Sequence, residues 1–450
     1  MKPPLADTDL PLTRGRVLRL AWPIILANAA VPLLGLADTA VIGNVGGVAD
    51  LGAIAFGAVI FSFVYWGFGF LRMGTTGFTA QAAGAGDELE VRATLARALL
   101  LAGGLGVLLI LLHVPIFAAA LAFLDGSPEV EAITAGYLSV RIWGAPATLG
   151  LFALMGTLIG LGRSGTLLAV QLCLNGLNIL LDIWFAGVLG WGVRGIALGT
   201  LVAEWTTLLV AGVLVLRLLR ARHREGAPLL SWPRILDPES LRRTMSANSD
   251  IMIRTLLLVF SFSWFVRQSA RFGDDLLAAN HVLLQLVSFS AFFLDGYAFV
   301  AEAVVGESYG ARNRARFDLA VRRTTELAGV TALGLAALIL VLGEPLVHLL
   351  TTLEPVRAAA ADHLPLAALY VACAFAAFQL DGIFIGTTRT RDMRNAAIAS
   401  TGTFLLLWWP LTAWGGSQGL WVAFILYVCA RAAALAFFYP GLRRSVAAAR

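Results

Sequence analysis

Twelve apolar runs, each long enough to cross a bilayer, leave this chain few folds to choose from. They fall at 15–42, 51–80, 92–124, 131–160, 166–188, 193–220, 246–269, 276–307, 318–350, 358–386, 394–414 and 417–440. A helix needs about 20 apolar residues to span the hydrocarbon core. Of the 450 residues, 59% are hydrophobic and 14% charged, with a mean hydropathy of +0.81. A soluble domain carries about 25% charged residues. The expected fold is therefore an all-α integral membrane protein of twelve transmembrane helices.

A net charge of +5 could be taken for a nucleic-acid footprint, but its placement says otherwise. With the N-terminus set in the cytoplasm, only Arg194, Arg267, Arg271 and Arg357 of the 33 Lys and Arg fall in outer segments. Arg72, Arg141, Arg254 and Arg431 lie within spans, and the rest, from Lys2 and Arg14 to Arg450, fall in inner segments. That is the positive-inside rule. It places both termini in the cytoplasm, in a plasma (inner) membrane, with no nucleic-acid partner. No cleavable signal peptide is expected, because Pro23 and Asp38 interrupt the first run and no small-residue cleavage site follows a short apolar core. Cys173, Cys373 and Cys429 all fall within spans and imply no disulfide framework. The five histidines are scattered without metal-ligand spacing.

The chain repeats itself. Gly84-Ala-Gly-Asp opens one inner loop and Gly310-Ala-Arg-Asn another; Arg97 recurs as Arg323, and Gly160 with Arg163 as Gly386 with Arg389. Each pair lies 226 positions apart. Six spans separate the copies, so the repeats share an orientation and relate by an axis along the membrane normal. The expected organisation is an N-terminal six-helix lobe (1–220), a basic cytoplasmic linker (221–245) and a C-terminal six-helix lobe (246–450), related by pseudo-two-fold symmetry. A phosphoinositide or partner site in the linker is the weaker alternative to a plain topogenic loop.

Asp38 and Asp182 are acids inside apolar runs. An acid at the centre of a span costs about 2.5–3.5 kcal/mol on insertion scales, so such residues usually face an interior cavity. Counting about 1.5 Å per helical residue puts Asp38, Asp182, Tyr137 and Thr200 at one level in the outer half of the N-terminal lobe. Asn175, Asn178 and Asp182 share a helical face, as do Thr200 and Glu204. Carboxylates, amides and hydroxyls in a poorly solvated place form an inventory for binding a proton or Na⁺; burial and a neighbouring carboxylate both favour an acid's neutral form. The plain alternative is a polar knot that locks helices. Arg141, one turn from Tyr137, either pairs with Asp182 and keeps it ionised or anchors helix packing.

The second half is organised differently. Trp264 and Trp408 stand where the repeat would place Asp38 and Asp182. Asp295, Glu302 and Asp381 lie in the inner half of spans eight and ten, at a depth matching Arg72 and Arg254. Gate or structural ion pairs are the expectation there. Pro23 and Pro32 bracket the approach to Asp38, and proline permits a helix to bend. Glycine patterns such as Gly156-Thr-Leu-Ile-Gly160 and Gly195-Ile-Ala-Leu-Gly199 are helix-packing signals. Gly103-Gly-Leu-Gly lies inside a span and lacks the strand–turn–helix context of a nucleotide site.

In order along the chain, several motifs resemble the multidrug and toxic compound extrusion (MATE) family, in its DinF-like branch. They are Leu36-Ala-Asp38-Thr-Ala-Val-Ile-Gly43, Thr79-Ala-Gln-Ala-Ala-Gly-Ala-Gly-Asp87, Gly136-Tyr-Leu-Ser-Val-Arg-Ile-Trp-Gly-Ala-Pro146 and Asn175-Gly-Leu-Asn-Ile-Leu-Leu-Asp182. The second half adds Phe293-Leu-Asp-Gly-Tyr-Ala-Phe-Val-Ala-Glu302 and Asp381-Gly-Ile-Phe-Ile-Gly386. The resemblance implies an antiporter exporting amphipathic or cationic small molecules in exchange for H⁺ or Na⁺, with Asp38 and Asp182 as coupling acids. Tyr137, Asn175, Asn178 and Thr200 would be their hydrogen-bond network and Pro23 the bend of span one. Asp381 matches an acid of another branch's cation site, but Arg254 stands where the partner acid in span seven is expected, which favours H⁺ coupling through the N-terminal lobe. No enzyme activity, cofactor or metal is expected, and the working unit is a monomer in the bilayer. Na⁺ coupling and a lipid-linked oligosaccharide flippase are the alternatives within transport. An intramembrane enzyme would need a nucleophile–base or metal constellation, and a receptor would show no gradient-driven flux.

Overall fold

The computed structural model describes residues 12–222 and 230–448. Part of the expected linker (223–229) and both chain ends lie outside the described residues. The described chain is helical, with no strand among those residues. Eleven of its stretches are long and apolar enough to cross a membrane: Arg14–Val45, Val48–Gly84, Glu88–Leu111, Pro128–Gly160, Ser164–Val188, Gly192–Ala221, Pro238–Phe272, Asp274–Gly310, Arg314–Leu350, Glu354–Gly386 and Thr390–Val446. The last is two helices, because at Gly416 the backbone turns to φ 55° and ψ −135°, a conformation that side-chain-bearing residues avoid. Divided there, the spans are the twelve that the apolar runs require, numbered here in chain order.

Proline explains where the helices depart from the runs. The third run was expected to continue to residue 124, but its helix stops at Leu111 and a separate helix takes over at His113–Leu124. Pro115 has no N–H to offer the Leu111 carbonyl one turn earlier. In span one the helix passes through Pro23 unbroken and is interrupted instead at Ala30, between Arg14–Ala29 and Val31–Val45. Pro32, just beyond, leaves the Asn28 carbonyl without its helical donor. The interruption of span one thus lies seven residues beyond Pro23. In span four a 3₁₀ turn, Ile142–Gly144, precedes Pro146.

The chain forms two compact units. One holds the described residues up to Ile25, Ala80–Gly86 and the chain from Ser246 onward; the other holds Leu26–Thr79 and Asp87–Met245. Within the first unit, helices cross where glycine removes the side chain. Gly84 lies against the Glu307 backbone, Gly310 against that of Gln81, and Gly306 against Gly386. The Gln81 amide adds hydrogen bonds to the Gly386 carbonyl (2.9 Å) and the Thr388 hydroxyl (3.0 Å). Within the second unit, the short helix Trp232–Ile235 docks on the start of span three, where Arg97 donates to the Arg234 carbonyl (2.8 Å).

The 226-residue repeat extends to backbone detail. Gly86 and Arg312 both take positive φ (70° and 54°), as do Gly162 and Thr388 (65° and 52°). Asp87 caps span three by accepting from the Glu90 N–H, and Asn313 caps span nine by accepting from that of Arg316. An Asp or Asn at this position satisfies one of the orphan amides of a helix start.

Candidate functional site

Span five brings Asn175, Asn178 and Asp182 to one buried face. The α-helix ends at Asp182, and the next six residues, Ile183–Val188, wind as a π-helix. Such widened turns recur at functional sites because they re-aim side chains. Span six passes close by. Gly199 lies against the Asp182 carboxylate and backbone, and Gly195 against the Phe185–Ala186 backbone, so a side chain at either would collide. These two glycines, legible in sequence only as packing residues, shape the pocket of the acid.

Asp182 is 0% exposed, and neither of its carboxylate oxygens meets a hydrogen-bond donor among the described residues. Asp38, half-buried on the later helix of span one, faces it. The two carboxyls lie within hydrogen-bond reach of each other. Asp38 Oδ1 is likewise buried and without a donor. Two carboxylates in contact in a low-dielectric site repel strongly unless a proton or cation lies between them.

The amides have separate duties. Asn178 donates to the Thr200 hydroxyl at 2.8 Å, and that hydroxyl donates to the Ile196 carbonyl at 3.0 Å. Its other amide atom, Oδ1, is buried and unpartnered. Asn175 reaches span one instead: it donates to the Ala30 carbonyl at 2.9 Å and accepts from Gln171 at 3.0 Å. It therefore bonds a backbone carbonyl at the break in the helix carrying Asp38. Tyr137 is buried against Gly57, edge-on to the Phe61 ring with centroids 6.3 Å apart.

Arg141 does not pair with Asp182. Its Nη1 donates to Glu204 Oε1 at 2.7 Å, both side chains are buried, and the guanidinium stacks over Phe61 at 4.9 Å. Gly144 leaves the room that Glu204 Oε2 occupies. The shared face of Thr200 and Glu204 was visible in sequence, but which acid takes the guanidinium was not.

In the C-terminal half, Arg254 pairs with Asp381 as opposite charges at matched depth suggested, and Arg431 donates to the same carboxylate oxygen. Arg431 joins as a third member that spacing did not assign. Arg72 lies in the second helix of span two, where its carbonyl accepts from the Thr76 hydroxyl at 2.9 Å. Asp295 is half-buried and Glu302 buried, both in span eight. Trp264 and Trp408, the counterparts of the acid pair, also meet. Their ring centroids are 5.7 Å apart, with Arg267 and Arg271 over the rings at 5.5 and 5.8 Å. Among the described residues no group of three or more His, Cys, Asp or Glu is placed to hold a metal ion.

The MatE family model matches residues 23–184 and 251–409, one copy in each half and together most of the chain. The chain belongs to the MatE family. This MatE protein is 38% identical over 419 residues to DNA damage-inducible protein F of Escherichia coli, covering 93% of this chain and 90% of that protein. It is 30% identical over 349 residues to the probable multidrug resistance protein NorM of Deinococcus radiodurans, with coverage of 72% and 68%. Its fold matches a MATE crystal structure in the bent conformation at a TM-score of 0.85, with 19% identity over 96% of this chain and 95% of that one. A multidrug resistance MATE transporter of the MOP superfamily, solved facing outward, matches at 0.83 with 17% identity, over 96% of both chains. The protein is thus a multi-pass membrane transporter of a multidrug-efflux family and not an enzyme.

Proposed function

We propose that this transporter is a proton-coupled antiporter that exports amphipathic or cationic small molecules, with Asp38 and Asp182 sharing the transported proton. One observation carries the reading. The buried carboxyl of Asp182 and the half-buried one of Asp38 face each other without a donor between them, while the guanidinium of Arg141 is already held by Glu204. A single proton completes that geometry, because it converts one acceptor into a donor and removes the like-charge repulsion. Asn178 and Thr200 hold span five against span six, and Asn175 ties the break in span one to the same face, so protonation and the shape of span one are mechanically linked. Protonation from outside accompanies release of substrate there. Loss of the proton inside returns the lobes to a state that takes up substrate from the cytoplasm. Both termini lie on that side, in the inner membrane.

The test is efflux of a fluorescent cationic dye from proteoliposomes under an imposed pH gradient, comparing wild type with Asp38→Asn and Asp182→Asn. Gradient-driven flux in wild type alone, with all proteins folded, supports the reading. Equal flux in all three places coupling elsewhere. Flux that follows a Na⁺ gradient at constant pH would assign the unpartnered oxygens of Asp38, Asp182 and Asn178 to that cation instead.

A further inference from the structure

A groove of about 470 Å³ runs along spans nine and ten, lined by Val321, Arg322, Thr325, Glu326, Gly329, Val330 and Phe375. Six of these residues belong to span nine; five of them, from Arg322 to Val330, recur at helical spacing and form one stripe, with Phe375 of span ten as the facing wall. Gly329 lets the facing wall come close: the Phe375 ring lies 3.3 Å from where a Cβ would stand. Beyond it, Val330 and Leu333 remain largely exposed, as lipid-facing residues are.

The two ends of the groove differ in polarity. At one end a single glutamate serves three guanidiniums. Glu326 accepts from Arg14 (2.9 and 3.1 Å), Arg322 (2.7 Å) and Arg323 (3.3 Å). One negative charge among three positive ones leaves the cluster at +2. The side chains of Arg14 and Arg322 are 60% and 70% exposed, so their remaining donors are free to meet a ligand. The other end, at Gly329, Val330 and Phe375, is apolar. This cluster stands where the arginine distribution puts the cytoplasmic ends of spans one and nine.

We propose that the groove binds an anionic phospholipid of the surrounding bilayer, its phosphate held by Arg322 and Arg323 and an acyl chain laid over Gly329 against Phe375. The charge of the cluster selects the headgroup, since guanidiniums bind phosphate in a planar, two-bonded geometry. Basic pockets between membrane helices take acidic headgroups for the same reason. The Thr325 hydroxyl, between the two ends, supplies a further donor for phosphate or glycerol oxygens. Bound there, the lipid ties span nine to span ten at the leaflet where Arg14 anchors the start of span one.

The test is native mass spectrometry of the full protein released from vesicles of equal phosphatidylethanolamine and phosphatidylglycerol, scoring retained lipid. Wild type is expected to retain phosphatidylglycerol in preference. Arg322→Ala and Arg323→Ala should each lower that preference about fivefold, the effect of one surface arginine on an acidic lipid. Gly329→Leu keeps every charge but fills the groove, and should abolish retention of both lipids at the site. Arg444→Ala removes an exposed arginine that does not line the groove and should change nothing. The proposal is overturned if wild type retains the two lipids equally, if Arg444→Ala acts as strongly as Arg322→Ala, or if Gly329→Leu retains phosphatidylglycerol like wild type.

Discussion

Replacing Glu204 by Gln separates the role of its ion pair with Arg141 from that of the acids proposed to couple transport. Glu204 and Arg141 meet at 2.7 Å with side chains only 8% and 10% exposed. At about 4 Å between charge centres and an effective dielectric of about 20, their attraction is about 4 kcal/mol. Removing one partner strands the other charge in an apolar site, which costs about 3–5 kcal/mol, whereas removing both is close to neutral. Glu204→Gln and Arg141→Gln should therefore each destabilise the protein by about 3–5 kcal/mol. The double variant should return to within about 1 kcal/mol of wild type, the signature of two residues that act on each other. Unfolding by denaturant in mixed micelles, followed by tryptophan fluorescence, measures all three. The same double variant should still move dye under a pH gradient, because the proposed mechanism gives neither residue the proton. A double variant as unstable as either single one would show that the pair is not the stabilising unit. One that is stable but uncoupled would put Arg141 and Glu204 in the proton path.

Gly199→Ala places a methyl group against the Asp182 carboxylate; overpacking of this kind costs about 1–3 kcal/mol, and dye flux should fall even where folded protein is recovered, whereas Gly212→Ala, with open space around it, should leave flux unchanged. Asn175→Leu takes a side-chain donor from the Ala30 carbonyl, a loss of about 0.5–1.5 kcal/mol for one hydrogen bond; hydrogen exchange should rise around residues 28–34 and not in span nine. Partial burial acts to raise the Asp87 carboxyl, but hydrogen bonds from Arg234 and the Glu90 N–H outweigh it and hold it below the usual carboxylate range. Its stabilisation is thus complete above the ordinary value of about 3.9 and fades as pH falls through the lowered one, so the gap in thermal midpoint between wild type and Asp87→Asn should be widest near neutral pH and close in acid.

Length and polarity of the runs made the fold legible, because a bilayer admits little besides a helix wherever about 20 apolar residues follow one another. The repeat was legible as well, down to caps: the residues at 87 and 313 are short polar acceptors at one offset, and they fold alike. Helix breaks were legible only as places where proline stood. Pro23 lies in unbroken helix, while Pro32 and Pro115 each follow an interruption, and sequence alone does not say which freed carbonyl another helix will satisfy. Nor does it say what will brace the break: at Ala30 it is Asn175, from a span more than a hundred residues away. Pairing among buried charges was the least legible, for a related reason. Depth places Arg141 level with both Asp182 and Glu204, and choosing between them depends on rotation about the helix axis, which the 3₁₀ turn at Ile142–Gly144 and the π-helix after Asp182 both alter. The asymmetry of the halves follows from the same geometry. The repeat brings positions 38 and 182 together and positions 264 and 408 together; with carboxyls at the first pair and indoles at the second, only the first contact holds the acids that the proposed proton coupling needs, while the second packs ring against ring.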